Sequence, residues 1–507
     1  MLDELAEAIE EVLPNIVAAT GSPGVAVALA TATELRTIGS GYADLAQRIP
    51  MTGNSVGPAG SLTKPLLGVA LMQMVEAGAM TVDAPINDFL PPGLRPADPV
   101  GAPVTPMMLG SHQGGYRTDF IDATLHRPGP FADHFARRLA ADRTPEYGGV
   151  SPLLGTPGTY AYSSLGMSLL GCAVEHLTGL GYAEYVDEHI LRPLRMNGSA
   201  LPTGAPGPSH WDELWQRPDR AVGYMGFGGW CVPTPEFHAA TYPAAGMVTS
   251  PADYARLLRS LLRSTAGDTG VVSPESVAEM LVPRILRSSP VTPDTWAGIA
   301  LEISNPERLG RQWWWGHSAA YPWGHWWDAR VYPHAGLIVV AMTNKWDMMR
   351  LHNPADRNAA GIVAQWAGRW AVEGVPARPR QVVGDGRTAI VPTSPAWIPD
   401  ESAAAWIGAL TAERAYGTLG VTERWDAATT KSMVLDARPS DGSNPPGLDP
   451  AAFEAAVDTV AALAPDPDAI RDYGRSQGPE AALWALACGA STAEFPMPVA
   501  ALAGPHP

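Results

Sequence analysis

Ser61-Leu62-Thr63-Lys64 places a hydroxyl and an amine three residues apart. At the start of a helix that spacing brings both groups to one face, about a turn apart. A serine hydroxyl is a weak nucleophile until a base accepts its proton, and a lysine amine becomes such a base once burial or a neighbouring cation lowers its pKa. Arginine cannot substitute, because a guanidinium stays protonated at any usable pH. The chain has only three lysines, Lys64, Lys345 and Lys431, against 31 arginines. Positive charge is otherwise supplied by arginine, so a lysine at position 64 points to a use for its basicity. The competing reading is codon bias with a chance Ser-x-x-Lys, and the surrounding sequence has to decide between them.

The elements that would hold this pair are legible in the hydrophobic periodicity. Residues 3–19 form an amphipathic pattern with Leu5, Ile9, Leu13 and Ile16 at helical spacing. Residues 24–30 read as an apolar strand and 34–42 as its hairpin partner. A Gly/Pro-rich loop leads to Ser61, and the helix that follows tolerates Pro65 because it falls in the first turn, where its missing N–H has no intrahelical acceptor. Ser61 is thereby expected at a helix N-terminus, where the dipole favours developing negative charge. Residues 166–178, 182–190 and 251–264 read as helices. From about residue 296 the period changes to that of strands, at 296–303, 312–319, 324–332 and 337–343, followed by a helix at 358–370. Strands at both ends with helices between them predict an α+β domain: an antiparallel sheet flanked by helices, with a helical subdomain beside it. The expected organisation is a catalytic domain over 1–374, a Pro-rich linker over 375–400 and a small, mostly helical C-terminal appendage over 401–507.

Composition excludes some classes. At 507 residues with a formal charge of -17 and no basic stripe, nucleic acid is not an expected partner. Cys172, Cys231 and Cys488 are odd in number and lack ligand spacing, which fits reduced thiols and neither a disulfide framework nor a metal site. The first twenty residues lack a basic segment followed by an apolar core, and no apolar run reaches membrane-spanning length. A cytoplasmic location with no membrane partner is therefore expected. Oligomeric state is not readable.

The order of motifs resembles the serine β-lactamase and penicillin-binding-protein superfamily, in its class C β-lactamase-like branch of esterases, D-aminopeptidases, D-alanyl carboxypeptidases and biosynthetic transacylases. The resemblance covers roughly residues 5–372. After Ser61-Leu62-Thr63-Lys64 come Val82-Asp83-Ala84-Pro85-Ile86, the turn Leu109-Gly110-Ser111-His112-Gln113-Gly114-Gly115, and Tyr162-Ser163-Ser164 where the family has Tyr-x-Asn. Leu169-Leu170-Gly171, the segment from Ala244 to Asp253, and Gly316-His317-Ser318-Ala319 at the third motif complete the series. The resemblance implies Ser61 as nucleophile, Lys64 and Tyr162 as candidate bases, and backbone N–H groups of Ser61 and Ala320 as the oxyanion hole. Ser164, His317, Ser318 and Ala319 are implied as substrate-side residues, with no cofactor and no metal. Sequence does not say which of Lys64 and Tyr162 holds the proton, and the two can titrate as one unit.

Two departures bear on substrate. Ser164 replaces the family's asparagine. His317 and Ala319 replace the lysine and glycine of the third motif, leaving a mostly neutral group where a β-lactamase holds a carboxylate. Both argue for a small-molecule ester or another amide over penicillin, although an ordinary strand histidine is the alternative at 317. Trp313, Trp314, Trp315, Trp323, Trp326 and Trp327 read either as an aromatic wall for an acyl group or as core packing. His112 reads as structural, and Arg256, Arg259 and Arg263 as a solvated helix face. The expected function is acyl transfer through an acyl-enzyme at Ser61, to water or to an amine acceptor. The alternatives are a binding protein of the same fold without turnover, or a genuine β-lactamase or D-amino peptidase.

Overall fold

Strand β1 (Gly24–Ala30) is buried along its whole length, and its alternation decides what lies on each side of the sheet. Val25, Val27 and Leu29 face one hydrophobic layer, while Ala26, Ala28 and Ala30 face the other. The bulky face meets helix α1 (Leu2–Thr20) through Leu5, Ile9, Leu13 and Ile16. The small alanine face lets helices approach closely on the side that holds Ser61 and Lys64.

The structure, a computed structural model, describes residues 2–96, 103–116, 123–124, 128–141, 156–204, 208–227, 230–233, 238–287, 295–321, 324–347 and 358–376. The linker and appendage expected after residue 374 fall outside this set, apart from Val375 and Pro376. In chain order the main sheet comprises β1, β2 (Leu35–Asp44), β3 (Ile49–Pro50), β4 (Ile285–Leu286), β5 (Thr295–Ala297), β6 (Glu302–Ser304), β7 (Trp315–Tyr321), β8 (His325–Tyr332) and β9 (Leu337–Thr343). They are ordered β4-β5-β6-β7-β8-β9-β1-β2-β3, each pair antiparallel. The join between the two sequence-distant halves is β1 against β9, with Val25 opposite Thr343 and Ala30 opposite Ile338.

On the inner face lie α2 (Lys64–Glu76), α3 (Ser164–Thr178) and α4 (Pro251–Thr265). Helix α2 is buried on nearly all sides, from Lys64 through Met72, and so sits in the middle of the domain, not on its surface. On the outer face α5 (Ala359–Glu373) packs beside α1 through Ala360, Val363 and Ala367. Asn358 caps it, accepting from Gly361 N–H at 2.9 Å. The protein therefore has the expected β-lactamase/transpeptidase-like α+β architecture.

One expected strand is two. Residues 296–303 form β5 and β6 with a turn between them, because the apolar stretch Ile299-Ala300-Leu301 is buried against helices instead of lying in the sheet. The Ile299 N–H donates to the Met280 carbonyl at 3.0 Å and the Ala300 N–H to the Gly110 carbonyl at 2.8 Å, with Ala300 at φ 58°. Apolar periodicity cannot distinguish a strand from a turn that packs into a core. Among the described residues, no helix is long and apolar enough to cross a membrane.

Candidate active site

Ser61 sits in a single turn of 3₁₀ helix, Gly60–Thr63, that runs directly into α2. In 3₁₀ geometry side chains at i and i+3 eclipse, so Ser61 and Lys64 are brought closer than α-helical spacing alone would bring them. Lys64 Nζ lies 3.0 Å from Ser61 Oγ. The same nitrogen is 3.2 Å from Ser164 Oγ and 3.3 Å from the Ala244 carbonyl, and the residue is fully buried. Thr63 holds the turn from below, its hydroxyl donating to the Gly60 carbonyl at 2.7 Å and accepting from Met247 N–H at 3.1 Å.

Tyr162 arrives from the extended segment before α3. Its hydroxyl donates to Ser61 Oγ at 2.7 Å. The neighbours on both sides are tied to His112: Ala161 N–H donates to the His112 carbonyl at 2.8 Å, and Ser163 N–H to His112 Nδ1 at 3.2 Å. The His112 ring lies against the Tyr162 ring with centroids 4.2 Å apart. His112 adopts φ 60°, an uncommon conformation for a residue with a Cβ. The structural reading of His112 thus acquires a purpose, since it supports the phenol that bonds Ser61. Ser163 in turn caps α3, accepting from Gly166 N–H at 3.0 Å.

The third motif lies on β7. β6 pairs with β7 only at Gly316 and Trp315, so the β7 edge beyond is free to face the Ser61 turn. Ser318 N–H points towards that edge, donating to Glu302 Oε2 at 3.2 Å. Two residues on, Ala320 shares its direction. A Cβ added at Gly60 would stand 3.1 Å from the Ala320 carbonyl oxygen. In an antiparallel strand a residue's N–H and C=O point the same way, so the Ala320 N–H also faces the Ser61 turn. His317 is buried, its Nδ1 2.5 Å from the Ser318 carbonyl and 3.7 Å from Glu302 Oε1. Ala319 is buried in the core cluster.

Burial dominates the electrostatics. Desolvation lowers Lys64 to about 7, with Glu302 pulling upward and Arg287 adding to the fall. Burial pushes the Tyr162 phenol above its ordinary range despite the hydrogen bond to Ser61. It also drops His317 to about 4, with Glu302 opposing and Lys64 and Arg287 assisting. At neutral pH the phenol is protonated, the imidazole is neutral and the amine is divided between its two forms.

Three residues of the site went unassigned in the sequence: Tyr160, Arg287 and Glu302. Arg287, Glu302, His112, Tyr162 and His317 line a small cavity together with Gly298. Glu302 carried a usable signal, as a lone carboxylate within Ile299-Ala300-Leu301-Glu302-Ile303; a charge in a buried apolar stretch has to be paired. Arg287, in Ile285-Leu286-Arg287, carried none.

The tryptophans take the packing reading. Trp315 and Trp327 are buried between the sheet and the inner helices, and Trp327 Nε1 donates to the Pro58 carbonyl at 2.8 Å. Trp314 lies in the outer layer with Arg330 4.4 Å from its ring, Trp326 packs against that same layer, and Trp313 packs at the edge of the inner core. None of these five lines the cavity beside Tyr162. Trp323 is outside the described residues. Of the arginines on α4, Arg256 pairs with Asp253, Arg259 reaches the Ala32 carbonyl at 3.1 Å and Arg263 meets Asp268 at 3.1 Å, so this face is latched locally as well as solvated.

Comparison with known proteins places the fold and the family. The chain is 32% identical over 206 residues to penicillin-binding protein 4 of Amycolatopsis lactamdurans, covering 39% of this chain and 51% of that one. It is 29% identical over 171 residues to esterase EstB of Burkholderia gladioli, covering 33% and 43% respectively. The matched stretches thus span about half or less of those relatives. A D-amino acid amidase from Ochrobactrum anthropi shares the fold at a TM-score of 0.57 and 23% identity, over 73% of this chain and 98% of that one. The Beta-lactamase family model matches residues 9–364, which include the Ser61 turn, the Tyr162 segment and the third-motif strand, and the chain belongs to that family.

Proposed function

We propose that this chain is a serine hydrolase that forms an acyl-enzyme at Ser61 from a small ester or amide and releases it to water. The observation that carries the reading is the placement of one hydroxyl oxygen 3.0 Å from a buried amine and 2.7 Å from a buried phenol. The phenol, raised by burial, keeps its proton and donates it to Ser61 Oγ. The serine's own proton is then directed to Lys64, which accepts it in the neutral form available near pH 7. Lys64 is accordingly the base and Tyr162 the donor that orients the nucleophile and relays the proton held on Lys64 to the leaving group, its own proton being replaced as it is given up. As Oγ bonds to the carbonyl carbon, the N–H groups of Ser61 and Ala320 receive the developing oxyanion. The bond to the leaving oxygen or nitrogen breaks, and attack by water returns the serine.

The charge around the cleft supports an uncharged substrate. The charge of Arg287 is matched by Glu302, and His317 is neutral, so the described cavity lining offers no unmatched cation to a substrate carboxylate. Trp314, Trp315 and Trp327 are buried in the packing layers, and none of the described tryptophans of this segment lines the cavity beside Tyr162, which supports water over a bound amine as acceptor. Incubation with a fluorophosphonate should add one adduct to the intact protein and none to Ser61→Ala, read by mass spectrometry. An unmodified wild type would return the chain to the class of binding proteins. A p-nitrophenyl ester of a short acid should be hydrolysed faster than nitrocefin under matched conditions, and the reverse order would overturn the substrate reading.

A further inference from the structure

The Glu302–Arg287 pair is buried on both sides, with side-chain exposures of 3% and 10%. Burying two charges costs several kcal/mol per ion, and an apolar pair of similar volume would hold a fold about as well. What sets this pair apart is where its remaining hydrogen bonds go. Glu302 accepts from the Ser318 hydroxyl at 3.0 and 3.1 Å and from the Ser318 N–H at 3.2 Å, and lies 3.7 Å from His317 Nδ1. Arg287 Nε donates to Tyr160 Oη at 3.0 Å, and its guanidinium stands 6.0 Å from the Tyr162 ring. The Tyr160 ring meets His112 edge-on at 6.0 Å, and His112 lies against Tyr162. One end of the pair therefore holds the third-motif strand and the other holds the segment that delivers the phenol.

We propose that Glu302 and Arg287 are positioning residues for the acyl transfer, a charged strut across the cleft that keeps the Tyr162 segment and β7 at their working separation around Ser61. Neither touches the nucleophile. Each acts through a neighbour, Glu302 through Ser318 and Arg287 through Tyr160. The strut rests on the proposed role of Ser61 and extends it with two residues that belong to none of the recognised motifs. It also makes each half electrostatically accountable to Lys64, which faces Glu302, Arg287, Tyr162, His112 and His317. Glu302 favours the protonated amine and Arg287 disfavours it.

The test is the rate of fluorophosphonate labelling at Ser61 as a function of pH, with melting curves for every protein. Glu302→Gln keeps an acceptor for Ser318 and removes the charge, whereas Arg287→Met removes charge and hydrogen bond together. Each single variant should label about tenfold or more slowly. The pH midpoint should fall by roughly half a unit or more in Glu302→Gln and rise by as much in Arg287→Met. A pair that served stability alone would lower the melting temperature without moving the midpoints in opposite directions. Arg287→Lys should restore the midpoint while leaving labelling slow, because the charge returns without the forked reach to Tyr160. The double variant Glu302→Gln/Arg287→Met leaves no unpaired charge and carries the test if a single variant does not fold. Slow labelling at the wild-type midpoint supports the strut, and the wild-type rate overturns it. Absence of labelling in the wild type would overturn the nucleophile assignment itself. Normal labelling with unmoved midpoints in both single variants would overturn the strut alone.

Discussion

In the proposed mechanism Lys64 is the residue on which the chemistry turns. Its carbon stem and its amine are both inside the protein, where hydrogen bonds to Ser61, Ser164 and the Ala244 carbonyl stand in for the water an exposed ammonium would hold. Burial is why the amine loses its proton near 7, far below the ordinary lysine range. The proposed base is the deprotonated form, so acylation of Ser61 should rise with pH and reach half its maximum near pH 7, where an unperturbed lysine would place that point above about 10. Stopped-flow acylation by an activated ester across pH 5–9 measures it, and a flat profile would remove Lys64 from the role of base. Lys64→Arg should be as slow as Lys64→Ala, on the order of 10²–10⁴-fold below wild type, because charge survives in the first and basicity in neither.

At the scale of elements, the decisive contact is the 3₁₀ turn against β7. Gly60 takes φ 52°, and a Cβ there would stand 3.1 Å from the Ala320 carbonyl oxygen and 3.3 Å from Tyr321 Cδ2. A side chain there would have to push the turn and the strand whose N–H faces Ser61 apart by a few tenths of an ångström, and the left-handed backbone itself favours glycine. Gly60→Ala should destabilise the fold by about 1–3 kcal/mol through the left-handed backbone. It should also slow Ser61 labelling by more than that loss of folded protein explains, since the turn must withdraw from β7. Melting curves and labelling rates on the same preparation separate the two effects. Wild-type labelling of the folded fraction would show that the close approach is packing alone.

For the whole molecule, the sheet is a partition with chemistry on one side and closure on the other. The outer layer is made by the two ends of the described chain, α1 and α5, which pack on the Val25-Val27-Leu29 face of β1 and the Leu337-Val339-Ala341 face of β9. Their burial of Leu5, Ile9, Leu13, Ile362 and Val363 covers apolar surface that would otherwise face water, at ~1.5–3 kcal/mol for each fully buried large side chain. Because α5 closes this layer by Glu373, a chain ending at residue 376 should fold, melt cooperatively and label at Ser61 at a rate within about twofold of full length. Failure to melt cooperatively would mean that residues 377–507 supply part of the domain's core, and normal melting without labelling would mean that they supply part of the site.

The sequence by itself determined the turn that carries Ser61 and Lys64, the segment that carries Tyr162, the β1–β2 hairpin, the strands after residue 312 and the helices around them. Each is a local pattern: a rare lysine at a fixed offset from a serine, a proline tolerated only in a first turn, an apolar run of strand length at residues 24–30, a helical period after residue 358. Tertiary structure alone decided the pKa of Lys64, because burial is the sum of contacts from segments that include residue 164 and residue 244, far apart in the chain. It decided that residues 296–303 fold back as two strands, since the same apolar letters serve a strand or a turn pressed into a core. It decided that Trp315 and Trp327 pack the interior while Trp314 lies under Arg330, because alternation states that faces differ and not which face meets the cleft. It also joined Arg287 to Glu302 and both to the flanks of the site, a partnership between short strands that no spacing in the chain encodes.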